Sequence, residues 1–271
     1  MCYRFELLEF EDCLFENVDA TYILHLEGNG RIDHIHDQLK TYHPSKKVYI
    51  VYNKGYKQCK KDIHPQETYS DLVHANMTVF EHAQQYKHVL VLEDDFIFSK
   101  DIISHAKHVD VFLKRDFHFV YQLGSLPLLA IPIDGYHYRH FSYLAHANIY
   151  SPVSRKTLLK ECSGVIHQNI DSYVLQHCPL YMYHKTLCYQ TFPSTNNRKT
   201  WFMFDDWRYY IAPIIQFISD TFITWTNLEN EPEPGFTIIN FFAKLIPFVL
   251  LFLLWLLLYI PCTSLKGKRV R

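Results

Sequence analysis

Hydrophobic positions along the chain alternate between short extended runs and helical stripes. Tyr22–Leu26 (YILHL) and Val48–Tyr52 (VYIVY) are β-branched and aromatic runs that predict strands. Between them, Arg31 to Thr41 places Ile32, Ile35 and Leu39 on one side of a helix. A second amphipathic stripe, Leu72, Ala75, Val79 and Ala83 with Phe80 and Tyr86 flanking, runs into Val89–Leu92 (VLVL). That strand is apolar on both faces, the pattern of a central sheet position. Ser99 is placed to cap a further helix with Ile102, Ile103, Ala106, Val109 and Leu113 inward. Phe117–Gln122 and Tyr143–Tyr150 read as strands, and Ser151-Pro152 as an N-cap with Pro at the first helical position, opening a helix through Leu159. Strand and helix in alternation predict an α/β sheet with helices on both faces.

The pattern changes near the end. Residues 227–235 (NLENEPEPG) are acidic, carry Pro and Gly, and lack apolar periodicity, as a linker does. Beyond them, Phe241–Pro261 is apolar on every side and long enough for a bilayer core of about 30 Å, with Lys244 snorkelling to the headgroups. No charged residue lies between Leu245 and Leu265. Boundaries follow: a soluble domain over 1–226, a linker over 227–240, a transmembrane helix over 241–261 and a basic tail over 262–271. Topology is contested. The tail residues Lys266, Lys268, Arg269 and Arg271 favour a cytosolic C-terminus. The acidic N-terminus, MCYRFELLEFEDCLFENVDA, has no signal-peptide pattern, which favours a C-terminal anchor with the large domain in the cytosol. The second consideration is the stronger one, because a large folded domain needs an export signal. The stretch Phe202–Trp225, with Asp205, Asp206 and Arg208 among its aromatics, fits either a helix lying on the bilayer or the last packed helix of the domain.

Charge and cysteine content narrow the classes. With 27 Lys+Arg against 28 Asp+Glu, the chain lacks the basic excess of a nucleic-acid binder. The seven cysteines form no CxxC pair and no zinc-finger spacing, and read as reduced, buried thiols. Asn76-Met77-Thr78 matches a glycosylation sequon but sits within the second predicted helix, so it is discounted.

The chemistry-bearing signal is Glu93-Asp94-Asp95, directly after VLVL. Open parallel sheets bind ligands at the carboxyl ends of their strands. Three adjacent carboxylates there repel one another and call for a cation. Hard oxygen ligands suit Mg²⁺ or Mn²⁺, which in turn would hold a diphosphate. A solvated acidic turn is the plain alternative.

At these residues the chain resembles a known family. Asp71–Phe98 (DLVHANMTVFEHAQQYKHVLVLEDDFIF) resembles the core of glycosyltransferase family 25, the lipopolysaccharide and procollagen galactosyltransferase group with the GT-A fold, in which a strand ends in a LEDD-type variant of the DxD motif. Tyr22–Arg31 resembles the family's first nucleotide-binding strand and basic loop, Ala145–Leu159 its next segment and helix, Ile170-Asp171 its later acidic position, and Leu187–Trp201 its closing block. The resemblance spans residues 20–201 in order. The sequence departs from it in showing only Arg31 as a clear basic residue after the first strand, and Ala-His-Ala-Asn before Tyr150. Together with a Tyr- and Phe-rich composition it suggests large DNA virus relatives.

What the resemblance implies is a metal-dependent hexosyltransferase, moving galactose or glucose from a UDP-linked donor to a protein, lipid or glycan hydroxyl with inversion. Asp95 would be the direct metal ligand, with Glu93 and Asp94 positioning ribose or metal-bound water and the metal neutralising the leaving diphosphate. Asp171 would deprotonate the acceptor hydroxyl, or else cap the helix over 172–176. Arg31 would pair with the diphosphate, or be a surface arginine. His184 would complete the metal shell, or be an ordinary member of a set of 17 histidines. Gln190, Thr195, Asn196 and Trp201 would line the donor or acceptor side. Gly124, after a strand, would let backbone approach a ligand, or simply turn the chain. The rival functional classes are an inactive binding protein of the same fold and a structural membrane protein.

Overall fold

The computed structural model describes residues 1–144, 146–193, 210 and 212–267. Thr195, Asn196, Trp201, Asp205, Asp206, Arg208 and the tail residues Lys268, Arg269 and Arg271 lie outside them. The elements are β1 (Tyr3–Glu9), β2 (Ala20–Leu26), α1 (Ile32–Thr41), β3 (Lys47–Asn53), α2 (Thr68–His82), β4 (Val89–Glu93), β5 (Ile97–Phe98), α3 (Ile102–Leu113) and β6 (Val120–Gln122). The chain continues through β7 (Leu126–Pro132), β8 (His137–Tyr143), β9 (Ala147–Tyr150), α4 (Pro152–Glu161), α5 (Ile170–His177), β10 (Leu180–Tyr183), β11 (Cys188–Tyr189), α6 (Ala212–Trp225) and α7 (Gly235–Gly267).

Nine strands form one mixed sheet in the order β1-β3-β2-β4-β9-β6-β10-β8-β7. β2 pairs in parallel with both β3 and β4, and β10 with β6, while β1, β9 and β8 run against their neighbours. The remaining strands therefore share the direction of β4, and their carboxyl ends line one edge.

Side-chain alternation assigns the two faces. In β4, Leu90 and Leu92 join Ile35 and Leu39 of α1 and Ile102, Val109 and Phe112 of α3. Val89 and Val91 point the other way, into a core with Val73 and Val79 of α2, Leu158 of α4 and Tyr173 and Val174 of α5. All four of these β4 residues are fully buried, as a central strand requires. The α/β reading with helices on both faces holds.

Several local expectations are corrected. Ser99 does not cap α3 through its side chain; Asp101 occupies the N-cap position, and the Ser99 hydroxyl accepts the Asp101 N–H at 3.2 Å. The run Tyr143–Tyr150 is two strands, because the chain breaks at Leu144, whose φ of 104° is left-handed. Phe117–Gln122 shortens to β6. The Ser151 cap stands, its side chain accepting the Ser154 N–H with Pro152 behind it. Asn76 is buried, with its amide donating to the Leu72 carbonyl.

The reduced-thiol reading fails for one pair: Cys2 and Cys59 form a disulfide. The antiparallel β1–β3 pairing returns the loop after β3 to Cys2, whose carbonyl accepts the Lys54 N–H. Nothing in a separation of 57 residues marks that encounter. Cys162, Cys178 and Cys188 are free and buried as expected, and Cys13 is free and half-buried.

Among the described residues, α7 is the helix long and apolar enough to cross a membrane; its most apolar stretch is almost wholly unburied, while Phe236, Asn240 and Ala243 near its start are buried. It starts inside the expected linker and continues past Pro261, which removes one backbone donor without ending the helix. Lys244 is not a free snorkelling side chain: it donates to the His184 carbonyl and lies 4.9 Å from the centre of the Tyr138 ring. In α6 only Ala212 and Ile223 are buried, and Ile214, Phe217, Ile218 and Trp225 are exposed.

Candidate functional site

β4 delivers Glu93, Asp94 and Asp95 to the carboxyl edge of the sheet, and the three carboxylates part company there. Asp94 turns toward the loop between β2 and α1. Its Oδ2 accepts from the Leu26 N–H at 3.1 Å, the Asn29 side-chain amide at 2.6 Å and His25 Nδ1 at 3.2 Å, while Oδ1 accepts from Arg31 at 2.8 Å. The loop can close around a carboxylate because Gly28 and Gly30 adopt positive φ. Asp94 is thereby fully engaged within the protein, as a clamp on the β2–α1 loop rather than a free ligand. His25 and Asn29 escaped the sequence reading, although Glu27-Gly28-Asn29-Gly30 at a strand end is a recognisable turn signal.

Arg31 bridges Asp94 and Asp95, reaching Asp95 Oδ2 at 3.2 Å. Burial works to lower its pKa, but the hydrogen bond to Asp94 and the fields of Asp95, Asp94 and Glu93 outweigh that and raise it. Asp95 keeps its other oxygen, Oδ1, buried without a hydrogen-bond partner. Burial raises the Asp95 pKa, with Asp94 adding to the rise and Arg31 opposing it.

Glu93 continues the alternation of Val89 and Val91, so it leaves the strand on the α2/α5 face. There it meets Asp171. Burial pushes Glu93 well above the usual carboxylate range, and the charges of Asp95, Asp171 and Asp94 push further. Asp171 itself is raised to about 6 by burial, against the lowering effect of the Leu144 N–H. Its alternative reading as a helix cap is corrected: the cap of α5 is Asn169, whose side chain accepts the Ser172 N–H at 2.9 Å. On the same face, Asn148 of β9, paired with Val91, has a buried and unpartnered Oδ1 while its amide donates to the Tyr150 hydroxyl. Beside Glu93 and Asp94 lies a cavity of about 100 Å³ lined also by His25, Asn53, Leu72 and Ala75. A larger hollow of about 490 Å³ sits at the Cys2 end of β1, lined by Arg4, Glu27 and Lys54 and by none of Glu93, Asp94 and Asp95.

His184 is not brought to this cluster. It directly follows β10, three strand positions from β4, or about 14 Å at the usual strand spacing. Its ring packs on Tyr183 at 4.2 Å and on His105 at 5.9 Å. Among the described residues, no three His, Cys, Asp or Glu side chains form a ready-made metal cage. What fits a cation is narrower: the orphaned Asp95 Oδ1 together with Glu93. Hard divalent ions take six or more oxygens, so such an ion would need the remaining ligands from a diphosphate and water.

The closing block is partly assembled. β5 starts two residues after Asp95 and pairs with β11, Phe98 to Cys188 and Ile97 to Tyr189, which sets Leu187–Gln190 beside the cluster. Gln190 is buried. Gly124 serves the protein's own backbone: a Cβ there would stand 1.8 Å from the Cys188 carbonyl oxygen and 2.5 Å from His146 Nε2. Its lack of a side chain lets the chain after β6 touch the chain entering β11.

No protein-family model matches the chain, and no curated protein matches it in sequence. Its structure is similar to that of a mannose-1-phosphate geranyltransferase from Thermus thermophilus, at 12% identity over 62% of this chain and 73% of that one, with a TM-score of 0.38. It is also similar to that of a glycosyltransferase involved in the glycosylation of the major capsid of PBCV-1. There the identity is 11% over 54% of this chain and 65% of that one, with a TM-score of 0.32, so the chain spans just under two thirds of that protein. Likenesses at this level carry no argument about chemistry, which rests on the carboxylates at the end of β4 and their neighbours.

Proposed function

We propose that the chain is a membrane-anchored glycosyltransferase of GT-A type, with residues 1–226 as the catalytic part and α7 as the anchor. It would move a hexose from a UDP-linked donor to a hydroxyl of a protein, lipid or glycan. One observation carries the reading: at the carboxyl end of the central strand, Asp94 and Arg31 fix the loop while Asp95 keeps a buried oxygen without a partner and Glu93 faces Asp171. Arg31, with only part of its fork engaged, is placed to meet a diphosphate. Mn²⁺ or Mg²⁺ held by Asp95 and Glu93 would supply Lewis-acid neutralisation of the leaving diphosphate. Asp171 takes the proton of the acceptor hydroxyl as that oxygen bonds to the anomeric carbon. The bond from that carbon to the diphosphate breaks in the same displacement, its electron pair leaving with the diphosphate, and configuration inverts. A base whose pKa is held near 6 suits this work close to neutral pH.

Calorimetric titration of UDP into the full chain in detergent tests the site. Binding is expected only with Mn²⁺ or Mg²⁺ present, and Asp95→Ala is expected to abolish it with an unchanged melting temperature. Metal-independent binding that survives Asp95→Ala would remove the metal role. A folded protein that binds no UDP at all would leave the structural membrane protein as the better account.

A specific observation favours a second reading of topology. The Cys2–Cys59 disulfide fits an oxidising compartment, and the basic residues after α7 favour a cytosolic C-terminus. Both favour an exoplasmic position for residues 1–226, against the cytosolic one. Protease added outside sealed microsomes decides: digestion of the domain supports the cytosolic placement, and protection until detergent is added supports the second.

A further inference from the structure

α7 lies along one face of the ribbon formed by β7 and β8. Phe236 packs in a cluster with Leu126 at the start of β7, and Ala243 is buried with Ala130 and Met182 against Tyr138. The two chains thus run in the same direction, and Ala243, next to Lys244, is the last buried residue among those described in α7. Past that point α7 is almost wholly exposed, from Leu245 and Ile246 through Phe248 to Tyr259. Lys244 marks the tip of the ribbon: it donates to the His184 carbonyl, and the His184 N–H donates at 2.8 Å to the carbonyl of Tyr136 in the β7–β8 turn.

The same residue marks the end of charge. Leu245–Leu265 is 21 residues without an ionisable Asp, Glu, Lys or Arg, about 31 Å of helix, close to the thickness of a bilayer's hydrocarbon core of about 30 Å. If α7 crosses a membrane, the lipid–water boundary therefore falls at Lys244, level with the ribbon tip. That tip presents apolar side chains around Asp134, whose carboxylate is taken up by Arg115, the Tyr136 and His137 N–H groups and the His137 ring. Ile131 is 49% exposed, Ile133 41% and Tyr136 47%. Tyr136 and Tyr138 beside Lys244 are residue types that favour the headgroup level.

Resting on the reading of α7 as an anchor, we propose that the β7–β8 tip is a second membrane contact, with Ile131, Ile133 and Tyr136 seated at the headgroup–acyl boundary next to the exit of α7. The occupant of this surface is a lipid bilayer. Two attachments fix the tilt of the domain, which a single helix behind a linker would not. β7 runs in the direction of β4, so the tip lies at the edge of the sheet that carries the acidic cluster, five strand positions away, or about 24 Å.

Depth measurement by electron paramagnetic resonance on the full chain in phosphatidylcholine–phosphatidylserine nanodiscs tests this. A nitroxide is attached through a ketone-bearing residue at 133, leaving the native cysteines untouched. Positions 251, inside α7, and 165, on the exposed loop between α4 and α5, are labelled separately as references. Expected is a label at 133 that collides with oxygen more than with a water-soluble nickel complex, with a nickel collision rate several-fold below that at 165. An aqueous signal at 133 with a lipid signal at 251 overturns the tip contact while the anchor stands. An aqueous signal at 251 overturns the anchor itself, and the tip with it. Low collision with both reagents at 133 means that protein covers the tip, a second copy for instance, and also overturns the proposal.

Discussion

Asp171→Asn is expected to slow sugar transfer by about 10²- to 10⁴-fold, the usual contribution of a general base, and at the same time to stabilise the fold. The stabilisation follows from the direction in which burial moves the Asp171 pKa. It lies at 3.8 in an unperturbed chain and at about 6 in the folded protein, because burial disfavours the carboxylate. Between those values the folded state holds a proton that the unfolded state releases. The corresponding stability is complete below about pH 4 and is lost as the pH rises through about 6. At pH 7 the buried charge is therefore carried at a cost of about 3 kcal/mol, at roughly 1.4 kcal/mol for each tenfold change in proton affinity. Asparagine removes the charge and keeps an oxygen for the Leu144 N–H. The variant should accordingly unfold at higher denaturant concentration near pH 7, with the difference from wild type shrinking toward pH 4. In the wild type, the transfer rate should rise as the pH passes through about 6. Equal stability at both pH values would mean that the Asp171 carboxylate is hydrated, and retained activity would remove it from the site.

The opposition between activity and stability at Asp171 connects to what the sequence made legible. Val89–Leu92 announced a central strand, and strict alternation then dictates that Glu93 leaves on the face opposite Leu92. The partner on that face was a matter of topology: Asp171 meets Glu93 because α5 packs on the same face as α2, and no local pattern encodes that. The loop around Asp94 was half legible. Arg31 stood out as a cation, while His25 and Asn29 act through a turn that Gly28 and Gly30 permit, which becomes visible only once the backbone is traced. His184 does not join the metal shell that the resemblance implies, since it follows a strand separated from β4 by β9 and β6. Asp171 itself is marked by the family resemblance, but its encounter with Glu93 is as illegible in the sequence as the disulfide, and for the same reason. Contacts that depend on which strands become neighbours leave no periodicity behind them.

The buried pair of Lys61 and Asp71 carries the second large prediction, this one about stability. Lys61 donates to both the Asp71 carboxylate and the Asn53 side-chain oxygen, and the Asn53 amide donates to Asp71 at 3.2 Å. The ammonium side chain is 1% exposed, the carboxylate 8%, and Lys61 also lies 4.4 Å from the centre of the Tyr3 ring. Burial lowers the Lys61 pKa and the Asp71 charge opposes the drop, so the ion is held by its partner rather than by water. Lys61→Met would leave Asp71 charged and uncompensated in the interior. The expected loss is about 3–5 kcal/mol, the usual cost of breaking a buried pair from one side, or roughly 10 °C in melting temperature for a chain of this size. Asp71→Leu in the Lys61→Met background removes the stranded charge, and most of the loss should return, since an apolar pair of similar volume often equals a buried ion pair. Asn53 gives the effect a reach beyond folding. It holds the turn through the Gly55 N–H at 2.8 Å and lines the cavity beside Glu93 and Asp94, so Lys61→Met alone should also weaken UDP binding. A single variant that melts within about 1 kcal/mol of wild type would show that water reaches the pair, and a double variant no better than the single would show that Lys61 acts through Tyr3 and Asn53 instead.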